Sequence, residues 1–508
     1  MTESNTKRIA KNTMMLYVRT LLIMLVSFYT TRVVLRALGV IDYGVYNVVG
    51  STVAMFSVLS GSLSSAISRF ITFELGRGNM EKLKRVFSTA VTVQLILAVV
   101  IVLFAETVGL WFLNDTMDIP ANRLSAAHWV FQFSVTTFVI GLVSVPYNAA
   151  IIAHEKMSAF AYIGVFEAVA KLGVAYLISV SVTDRLILYG FLLMLIAIIV
   201  RLIYGIYCKR KFEECTYQFI YDRKLLKEMA GFAGWNFIGA SSSQLMNQGV
   251  NLLANNYFGL VINAARGITT QVDSMLVSFV NNFTTAVNPQ ITKSYAASDN
   301  EYLYYLIFRS SKFSYFLVMF FAIPIMSETD FLLNIWLNNI VPEHTVAFVR
   351  LALAASMVQV ISNPMITAML ATGNIKKYQI IVGGIGMLVL PIAWIFFHLG
   401  FPPEIAYITI IFVFICQLLC RLLLIRSMIG LSIKRFVNEV ILKIATVSVA
   451  AISLPMLLCF CMEDGWKRFL LIGFVSVISS GLSIFFIGLE ANERNFFLKI
   501  FQKIKIWH

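Results

Sequence analysis

The sequence predicts an all-α polytopic membrane protein with about fourteen transmembrane helices. Three observations support this fold class: a mostly apolar composition, an unbroken succession of long apolar stretches, and an uneven distribution of basic residues between them. Hydrophobic residues make up 59% of the 508 residues, and charged residues only 13%. Such a chain has too little polar surface to cover a water-soluble fold, so lipid is expected to be its solvent.

Apolar stretches of the length that a membrane helix requires, about 20 residues, follow one another through the chain. The first is not followed by a small-residue cleavage site, so we expect it to remain as a helix rather than to be removed as a signal peptide. We place the helices near residues 14–36, 44–70, 88–112, 126–152, 159–180, 187–206, 229–257, 264–290, 305–326, 347–371, 379–398, 406–425, 438–460 and 469–489.

The basic residues indicate the orientation, because Lys and Arg are retained in short cytoplasmic loops. Most of the 40 Lys and Arg lie in the two tails and in the even-to-odd loops, such as 71–87, 207–228 and 373–378. The loops on the other side carry few basic residues, namely Arg123, Arg185, Lys467 and Arg468. Both termini are therefore expected in the cytoplasm.

Several classes of function find no support in the sequence. The formal charge of +14 follows from topology and from contact with anionic headgroups, and no basic and aromatic domain exists to hold a nucleic acid. The six cysteines show no CxxC or Cys/His spacing, so they are interpreted as packing residues and no metal site is predicted. The chain also has no P-loop and therefore no recognisable ATPase. We predict no catalytic residue and no organic cofactor.

An internal repeat is the second architectural signal. Residues 143–158 read VSVPYNAAIIAHEKMS and residues 361–376 read ISNPMITAMLATGNIK, which aligns Pro146 with Pro364. Because the two copies are separated by six helices, they have the same orientation in the membrane. This indicates parallel repeats related by an axis along the membrane normal.

The repeat predicts two parallel six-helix lobes around a central cavity, followed by two C-terminal helices. The linker between the lobes is rich in Lys and Arg and is the expected hinge. We place the N-terminal lobe at 1–206, the cytoplasmic linker at 207–228, the C-terminal lobe at 229–428, and the two additional helices with a basic cytoplasmic tail at 429–508.

The N-terminal segment IAKNTMMLYVR, the following segment SFYTTRVVLRALGVIDYGVYNVVGSTVAMFSVLSGSLSSAISRFITFELGRGN and the AHEKMS turn carry a family resemblance. Together with the fourteen-helix layout, they resemble the polysaccharide flippase branch of the MOP (multidrug/oligosaccharidyl-lipid/polysaccharide) exporter superfamily, which has a MATE-like fold. The resemblance covers essentially the whole chain. It is more specific for the fold than for the substrate.

The resemblance implies a transporter rather than an enzyme, namely a lipid-linked oligosaccharide translocase of the bacterial inner membrane. Such a protein moves a polyprenyl-diphosphate-linked oligosaccharide from the cytoplasmic to the outer leaflet by alternating access. The cargo would be an O-antigen, capsule or exopolysaccharide repeat unit, as in lipopolysaccharide biosynthesis. Membrane lipids, a polysaccharide polymerase and glycosyltransferases are the further partners that it implies.

Three arginines within the predicted spans are candidates for binding the diphosphate. Arg32 and Arg36 stand one turn apart on the first helix and share a polar face with Tyr29, while Arg266 occupies the corresponding part of the eighth helix. A charge that faces lipid at helix centre costs about 2.5–3.5 kcal/mol, so these side chains should face a cavity or a partner. Guanidinium groups match phosphate oxygens bidentately and stay protonated.

The same charges also allow a different interpretation. Arg32 or Arg36 would form a salt-bridge gate between the lobes with Asp42 or Asp273. Asp273 is also a candidate site for a coupling ion, Na⁺ or H⁺. Glu167 and Lys171 lie four residues apart on one helix, and they form either an intrahelical ion pair or part of a ligand site, an ion-coupling site or a gate.

Four further arginines lie near the cytoplasmic ends of the predicted helices. Long basic side chains in such positions commonly extend to the lipid headgroups, and we interpret these residues in that way. They are Arg19, Arg69, Arg201 and Arg421.

The predicted seventh helix carries an amide-rich face. Such groups are costly toward lipid unless they are paired, and their planar donors and acceptors suit sugar hydroxyls. Tyr29 on the first helix could stack on a sugar. Hydrogen bonding between helices is the alternative role. The candidate glycan-binding amides are Gln244, Asn247, Gln248, Asn251 and Asn255.

Three functions remain open at the level of sequence. The first is the lipid-linked oligosaccharide flippase, with a lipid II flippase as a close variant. The second is a cation-coupled drug or metabolite antiporter of the same fold, which would favour an acid in the first helix, yet residues 14–36 contain none. The third is a membrane enzyme, for which the longest outward loop, 327–346, offers no convincing acid/base pair.

Overall fold

The chain folds almost entirely into α-helices. The computed structural model describes residues 2–54, 57–115, 119–218, 222–258, 260–337, 341–491 and 493–494, and no strand occurs among them. The all-α polytopic fold class is therefore confirmed. The basic tail predicted at the C-terminus lies mostly outside the described residues.

The described residues that precede the linker form seven α-helices. Short 3₁₀ turns at Ala121–Arg123 and Glu213–Cys215 separate some of them, and a π-helical turn at Ala105–Gly109 joins two. They are α1 (Thr2–Ala54), α2 (Ser57–Arg77), α3 (Met80–Phe104), α4 (Leu110–Asp115), α5 (Leu124–Ala153), α6 (Met157–Val180) and α7 (Arg185–Lys211).

The second half continues with helices of more varied length. Further π-helical turns lie at Val437–Ile441 and Ile484–Gly488. These helices are α8 (Arg223–Phe258), α9 (Leu260–Ala296), α10 (Asn300–Ser327), α11 (Thr329–Trp336), α12 (Thr345–Val360), α13 (Asn363–Thr372), α14 (Lys376–Met387), α15 (Val389–His398), α16 (Ile405–Ile429), α17 (Ile433–Phe436), α18 (Leu442–Cys461) and α19 (Trp466–Ser483).

Each predicted span lies over one helix or over two consecutive helices, and the span near 44–70 includes residues 55 and 56, which lie outside the described residues. Among the described residues, eleven helical stretches are long and apolar enough to cross a membrane. The three predicted spans that are not among them lie near 44–70, 229–257 and 264–290, and these are rich in Ser, Asn, Gln and Thr. Their polarity suits helices whose side chains contact each other or a cavity rather than lipid.

Gly39 divides α1 into two parts. Its φ of 78° and ψ of 172° lie outside the helical region, at the boundary between the predicted first and second spans. A residue with a Cβ is strained at this φ, whereas glycine is not. The break therefore frees backbone carbonyls of the preceding turn, which need another hydrogen-bond donor.

Equivalent turns in the two halves share a left-handed residue at an offset of about 220 positions. Gly78 and Ser298 have φ angles of 71° and 58°, and each is followed by an Asn or Asp that caps the next helix. Glu155 and Gly373 have φ angles of 58° and 79° at the ends of α5 and α13. The repeat seen in the sequence therefore extends to backbone geometry.

The chain divides into two compact units. The first unit comprises Met1–Ala240 and Thr292–Ser298, and the second comprises Ser241–Ile291 and Asp299–His508. Helices α8 and α9 thus each contribute to both units. The lobe and linker boundaries proposed from the sequence remain predictions.

Each unit has its own apolar core. In the first unit Phe131 and Val130 of α5 are fully buried against Val49 of α1. In the second unit Val250 of α8 and Phe348 of α12 occupy the equivalent role. Because lipid tails are as apolar as these side chains, close van der Waals packing rather than removal from water holds together the helices that present the polar residues described next.

Candidate functional site

A cavity of about 510 Å³ lies between α1, α6 and the start of α7 in the first unit. The face of α1 that was predicted to be polar lines it, through Tyr29, Arg32 and Arg36. The spacings of three and four residues place these side chains on one side of the helix. Both arginine side chains are exposed.

Three more polar residues complete this cavity. Tyr176 and Ser179 come from α6, and Arg185 is the first residue of α7. The hydroxyl groups of Tyr29 and Tyr176 are hydrogen-bonded at 2.7 Å. Arg185 donates through Nη1 to the carbonyl oxygen of Ala37 at 3.0 Å, one of the carbonyls in the turn before Gly39.

The cavity is therefore strongly basic. Three guanidinium groups line it, and no carboxylate is found among its described lining residues. Guanidinium groups keep their charge at any physiological pH and bind phosphate or carboxylate oxygens in pairs. We name this site, formed by Tyr29, Arg32, Arg36, Tyr176, Ser179 and Arg185, the basic cavity.

Asp42 has a partner other than the one that a gate would require. Arg123 donates to its carboxylate through Nη2 at 2.5 Å and through Nε at 2.7 Å. The same guanidinium donates to Asp184, the N-cap of α7, at 2.7 Å. In this structure Asp42 thus pairs with Arg123, which is 81 residues away in sequence, and not with Arg32 or Arg36.

These contacts also change the ionisation of Asp184. Burial of its carboxylate opposes ionisation, but the hydrogen bonds from Arg123 and from the Ile187 amide outweigh this effect and hold the pKa of Asp184 below its usual value. The charged pair therefore persists at neutral pH. It ties the start of α7 to the turn before α5.

Glu167 and Lys171 form the intrahelical pair that their spacing allows. Lys171 Nζ lies 2.7 Å from Glu167 Oε1 on α6, and both side chains are well exposed. Neither residue is among those that line the basic cavity. An exposed pair of this type contributes little energy and shows no geometry specific for a ligand.

Arg266 has a different environment in the second unit. Its side chain is only 9% exposed, and its Nε donates to Asn251 Oδ1 at 3.1 Å. Its Nη2 lies 3.5 Å from the Asn247 carbonyl oxygen, and its guanidinium lies 5.4 Å from the centre of the Tyr407 ring. Its Nη1 is buried and has no hydrogen-bond partner among the described residues. Arg266 is therefore buried among the described residues of α8 and α16, and its role in binding the diphosphate stays a prediction.

The amide face of α8 is partly engaged in helix contacts. The Asn251 side chain binds Arg266, and Asn247 Nδ2 donates to the Ser243 carbonyl of its own helix at 3.2 Å. Gln244 is exposed. The side chains of Gln248 and Asn255 lie outside the described residues.

Asp273 is hydrogen-bonded to a hydroxyl group rather than to a cation. Ser356 Oγ of α12 lies 2.5 Å from Asp273 Oδ1. Asp273 stands two turns after Arg266 on α9, and no ion pair joins these two side chains in the part of the chain that the structure describes. A single hydroxyl donor leaves the rest of the carboxylate free to bind a proton or a small cation.

The arginines near the predicted cytoplasmic helix ends mostly contact aromatic rings. Arg19 lies 4.5 Å from the Phe160 ring centre, and Arg201 lies 3.8 Å from that of Tyr147. Arg69 similarly contacts Phe73 at 4.6 Å. Arg421 is only 7% exposed and binds Gln417, so the interpretation that its side chain extends to headgroups is wrong.

The sequence did not single out Tyr176, Ser179 or Arg185 as site residues. Arg185 was counted only as one of few basic residues in the outward loops. The sequence feature that could have indicated Arg185 is its position directly after Asp184, a residue type that commonly caps helices. The first residue of a helix lies at the edge of the helix bundle, where this cavity is found. The contacts of Tyr176 with α1 join residues that are 147 positions apart, which sequence spacing does not reveal.

The second unit has a cavity of similar size but opposite charge. It measures about 590 Å³ and lies where α11, α12 and α16 begin or end. His344 Nδ1 lies 2.5 Å from Glu404 Oε1 at its edge. We name this site the acidic cavity, and its charged lining residues are Asp330, Glu343, His344, Arg350 and Glu404.

Known proteins with a similar fold are membrane transporters. An outward-facing multidrug resistance MATE family transporter of the MOP superfamily matches with a TM-score of 0.72 at 14% identity, over 84% of this chain and 96% of that one. A MOP superfamily transporter from Pyrococcus furiosus, described as having a binding pocket of reverse polarity that suggests a different function, matches with a TM-score of 0.68 at 13% identity. That match covers 83% of this chain and 96% of the other. No curated protein sequence matches significantly.

The sequence itself matches one protein family. The family described as polysaccharide biosynthesis protein matches residues 9–295, which is more than half of the chain. This segment contains the basic cavity, Arg266, Asp273 and the amide face. The chain therefore belongs to the polysaccharide biosynthesis protein family and has the MATE-like fold of MOP-superfamily transporters.

Proposed function

We propose that the chain is a flippase of the bacterial inner membrane. Its cargo would be a polyprenyl-diphosphate-linked oligosaccharide, as an O-antigen, capsule or exopolysaccharide repeat unit. Alternating access would carry this headgroup from the cytoplasmic to the outer leaflet. Family membership in polysaccharide biosynthesis and the transporter fold support this proposal together.

The observation that supports the proposal most is the basic cavity. Three guanidinium groups without a lining carboxylate match a multiply charged anion, and a diphosphate presents two adjacent anionic groups. Drug cations would be repelled by the same site. Arg32 and Arg36 would bind the diphosphate, and the tyrosine pair beside them would contact the first sugar.

Arg266 and the amide face would serve a second stage of the same path. Arg266 carries a buried charge whose Nη1 has no described partner, and an anion would supply one. The glycan would contact Gln244, Asn247 and Asn251, as well as Gln248 and Asn255, whose side chains lie outside the described residues. Asn251 would then exchange its bond with Arg266 for one with the cargo.

The polyprenyl tail need not be enclosed. It can remain in lipid while the protein shields only the diphosphate and sugars, which the bilayer core rejects. With both termini in the cytoplasm, the cargo moves outward, and an inside-negative potential favours outward movement of negative charge by about 2.3 kcal/mol per charge per 100 mV. Asp273 is the proposed site for H⁺ or Na⁺ if a cation also contributes.

Two related functions are the alternatives. A lipid II flippase would use the same diphosphate chemistry and differ only in the glycan. A cation-coupled antiporter would rely on Asp273, whose carboxylate has a hydroxyl partner and no cation partner among the described residues.

The proposed flippase would also have enzyme partners. Glycosyltransferases would act before it to build the repeat unit, and a polymerase would act after it.

Deletion of the gene tests the proposal. Complete lipid-linked repeat units should accumulate in the cytoplasmic leaflet while surface polysaccharide disappears, and the intact gene should restore both. A chain with Arg32→Ala and Arg36→Ala should be expressed but fail to restore them. Normal surface polysaccharide in the deletion strain, combined with new sensitivity to small cationic toxins, would refute the flippase and favour the antiporter.

A further inference from the structure

The turn between α5 and α6 contains a residue that its backbone does not favour. Glu155 has a φ of 58°, in the left-handed region, where residues with a Cβ are strained. The equivalent turn of the second repeat has Gly373 in the same conformation, with a φ of 79°. The fold therefore dictates the left-handed backbone, and glycine is the residue that suits it. A glutamate retained there indicates a role for its carboxylate.

The carboxylate of Glu155 joins two distant parts of the chain. Arg8 Nε of α1 lies 2.8 Å from its Oε2, and Lys293 Nζ of α9 lies 2.8 Å from its Oε1. The Glu155 side chain is only 1% exposed. Its backbone carbonyl also accepts a hydrogen bond from Asn12 Nδ2 at 3.2 Å. A buried carboxylate that binds two cations is costly to break apart.

Lys293 lies in the part of α9 that belongs to the first unit. Thr292–Ser298 group with the first unit, whereas the rest of α9 belongs to the second. At this point α9 approaches α2 so closely that a Cβ added to Gly76 would lie 2.8 Å from the Lys293 Cα. Two residues therefore position the end of α9. Glu155 binds Lys293 through its charge, and Gly76 permits the close approach of the two helices because it has no side chain.

We propose that Glu155 is a latch that holds the C-terminal turn of α9 in the first unit, and that this turn is released once in each transport cycle. This inference rests on the proposed alternating-access function. Release requires the Lys293–Glu155 pair to separate, whereas the Arg8–Glu155 pair lies wholly within residues 1–240 of the first unit and can stay formed. Glu155 is thus a positioning residue and does not contact the cargo.

Thiol accessibility tests the latch without any substrate. Ser294 is only 6% exposed and lies beside Lys293, so Ser294→Cys, in a chain whose six cysteines have been replaced, reports release of the turn. In permeabilised vesicles, Glu155→Gly and Glu155→Gln should each raise its rate of maleimide labelling at least about tenfold, because a buried ion pair that loses one partner is strongly destabilised. Lys293→Met should raise it as well.

Glu155→Gly separates the latch from folding. It removes the carboxylate but also relieves the backbone strain, so it should cost less thermal stability than Glu155→Gln while labelling rises and transport falls in both variants. Two controls accompany it. Glu213→Gln removes an exposed carboxylate that lies 3.8 Å from Lys84, and it should leave labelling of Ser294→Cys unchanged. Val86→Cys reports a fully buried position of α3 and should stay unlabelled.

The outcomes that would overturn the latch are distinct from failure of the flippase proposal. Unchanged labelling of Ser294→Cys in both Glu155 variants would refute it. Increased labelling at Val86→Cys as well would show general loosening of the first unit and would also refute it. Neither result depends on which molecule is transported, because labelling requires no cargo.

Discussion

The basic cavity of the first unit and the acidic cavity of the second differ in charge although they are similar in size. Their volumes are about 510 and 590 Å³. Three arginines line the first, whereas three carboxylates, one histidine and one arginine line the second. The two cavities also differ in their helices, because α1, α6 and α7 line the first, whereas α11, α12 and the start of α16 line the second. Binding of an anion is expected at the first unit's cavity alone.

The two units also differ in the charged pairs that join the N-terminal ends of their helices. In the first unit Arg123 pairs with Asp184, and in the second His344 pairs with Glu404, over sequence separations of 61 and 60 residues. Each pair joins the starts of two helices. The first pair joins a guanidinium to a carboxylate, and the second joins an imidazole to a carboxylate.

The largest effect is expected at the basic cavity. Charge-assisted hydrogen bonds contribute about 1.5–3 kcal/mol each, so Arg32→Ala or Arg36→Ala should lower transport by tenfold or more, and the double variant should abolish it. Replacement of either arginine by Lys should retain only part of the transport activity, because an ammonium group cannot bind phosphate oxygens bidentately. Flipping of a fluorescent polyprenyl-diphosphate sugar in proteoliposomes provides the measurement.

Arg350→Ala in the acidic cavity is the matched control. Arg350 donates to the Met326 carbonyl oxygen at 3.0 Å and so belongs to the scaffold of the second unit. Its replacement should leave transport within about twofold, a difference of under 0.5 kcal/mol. An equal loss at Arg350 and Arg32, or full activity with Lys at both cavity positions, would contradict the assignment.

A moderate effect is expected from the contrast between exposed and buried arginines. Arg266 is nine-tenths buried, with no carboxylate partner among the described residues, so its charge opposes folding. Arg266→Met should therefore raise the free energy of unfolding by about 1 kcal/mol while it lowers transport. Arg36→Met should lower transport without a change in stability. Thermal unfolding in detergent measures both, and a destabilised Arg266→Met would show that this residue is structural.

The smallest effect is expected at the paired helix starts. Because the pKa of Asp184 is lowered in the folded state, its charge stabilises the fold above the usual Asp pKa of about 3.9, and this stabilisation is lost as the pH falls through the lowered pKa. Asp184→Asn should lower the free energy of unfolding by under about 1 kcal/mol. The decrease should be the same at every pH from about 8 to 5, and it should become smaller below about pH 4.

Glu404→Gln gives the comparison for the second unit. Its partner is the imidazole of His344, and loss of this partly exposed pair should likewise lower stability by under about 1 kcal/mol. Unfolding temperatures at neutral pH measure both variants. A loss well above about 1 kcal/mol in either variant would show that its pair contributes more than a partly exposed ion pair does.

Hydropathy predicted the helices well because burial in lipid imposes the same requirement at every span. The three most polar spans were still predicted, since they lie in order between apolar neighbours. The stripe of Tyr29, Arg32 and Arg36 was also readable, because spacing alone determines a helix face. These features are local, and local patterns are what a sequence reports.

Pairing between distant residues was not readable. Asp42 and Arg266 both looked like members of a charged cleft, yet one binds Arg123 and the other Asn251. Which partner a charge finds depends on helix rotation and on the turns, and several partners of suitable chemistry existed in each case. The left-handed Glu155 could not be recognised for the same reason, since its glycine equivalent became apparent only from backbone angles.

The left-handed positions show that the two halves share a backbone path where they do not share residues. Glycine is found at 78 but serine at 298, and glutamate at 155 but glycine at 373, while all four φ angles lie between 58° and 79°. A side chain with a Cβ costs about 1–2 kcal/mol in this conformation, yet each turn keeps the conformation with either residue. Backbone path is likewise what this chain shares with solved transporters that are only 13–14% identical to it, at TM-scores of 0.72 and 0.68.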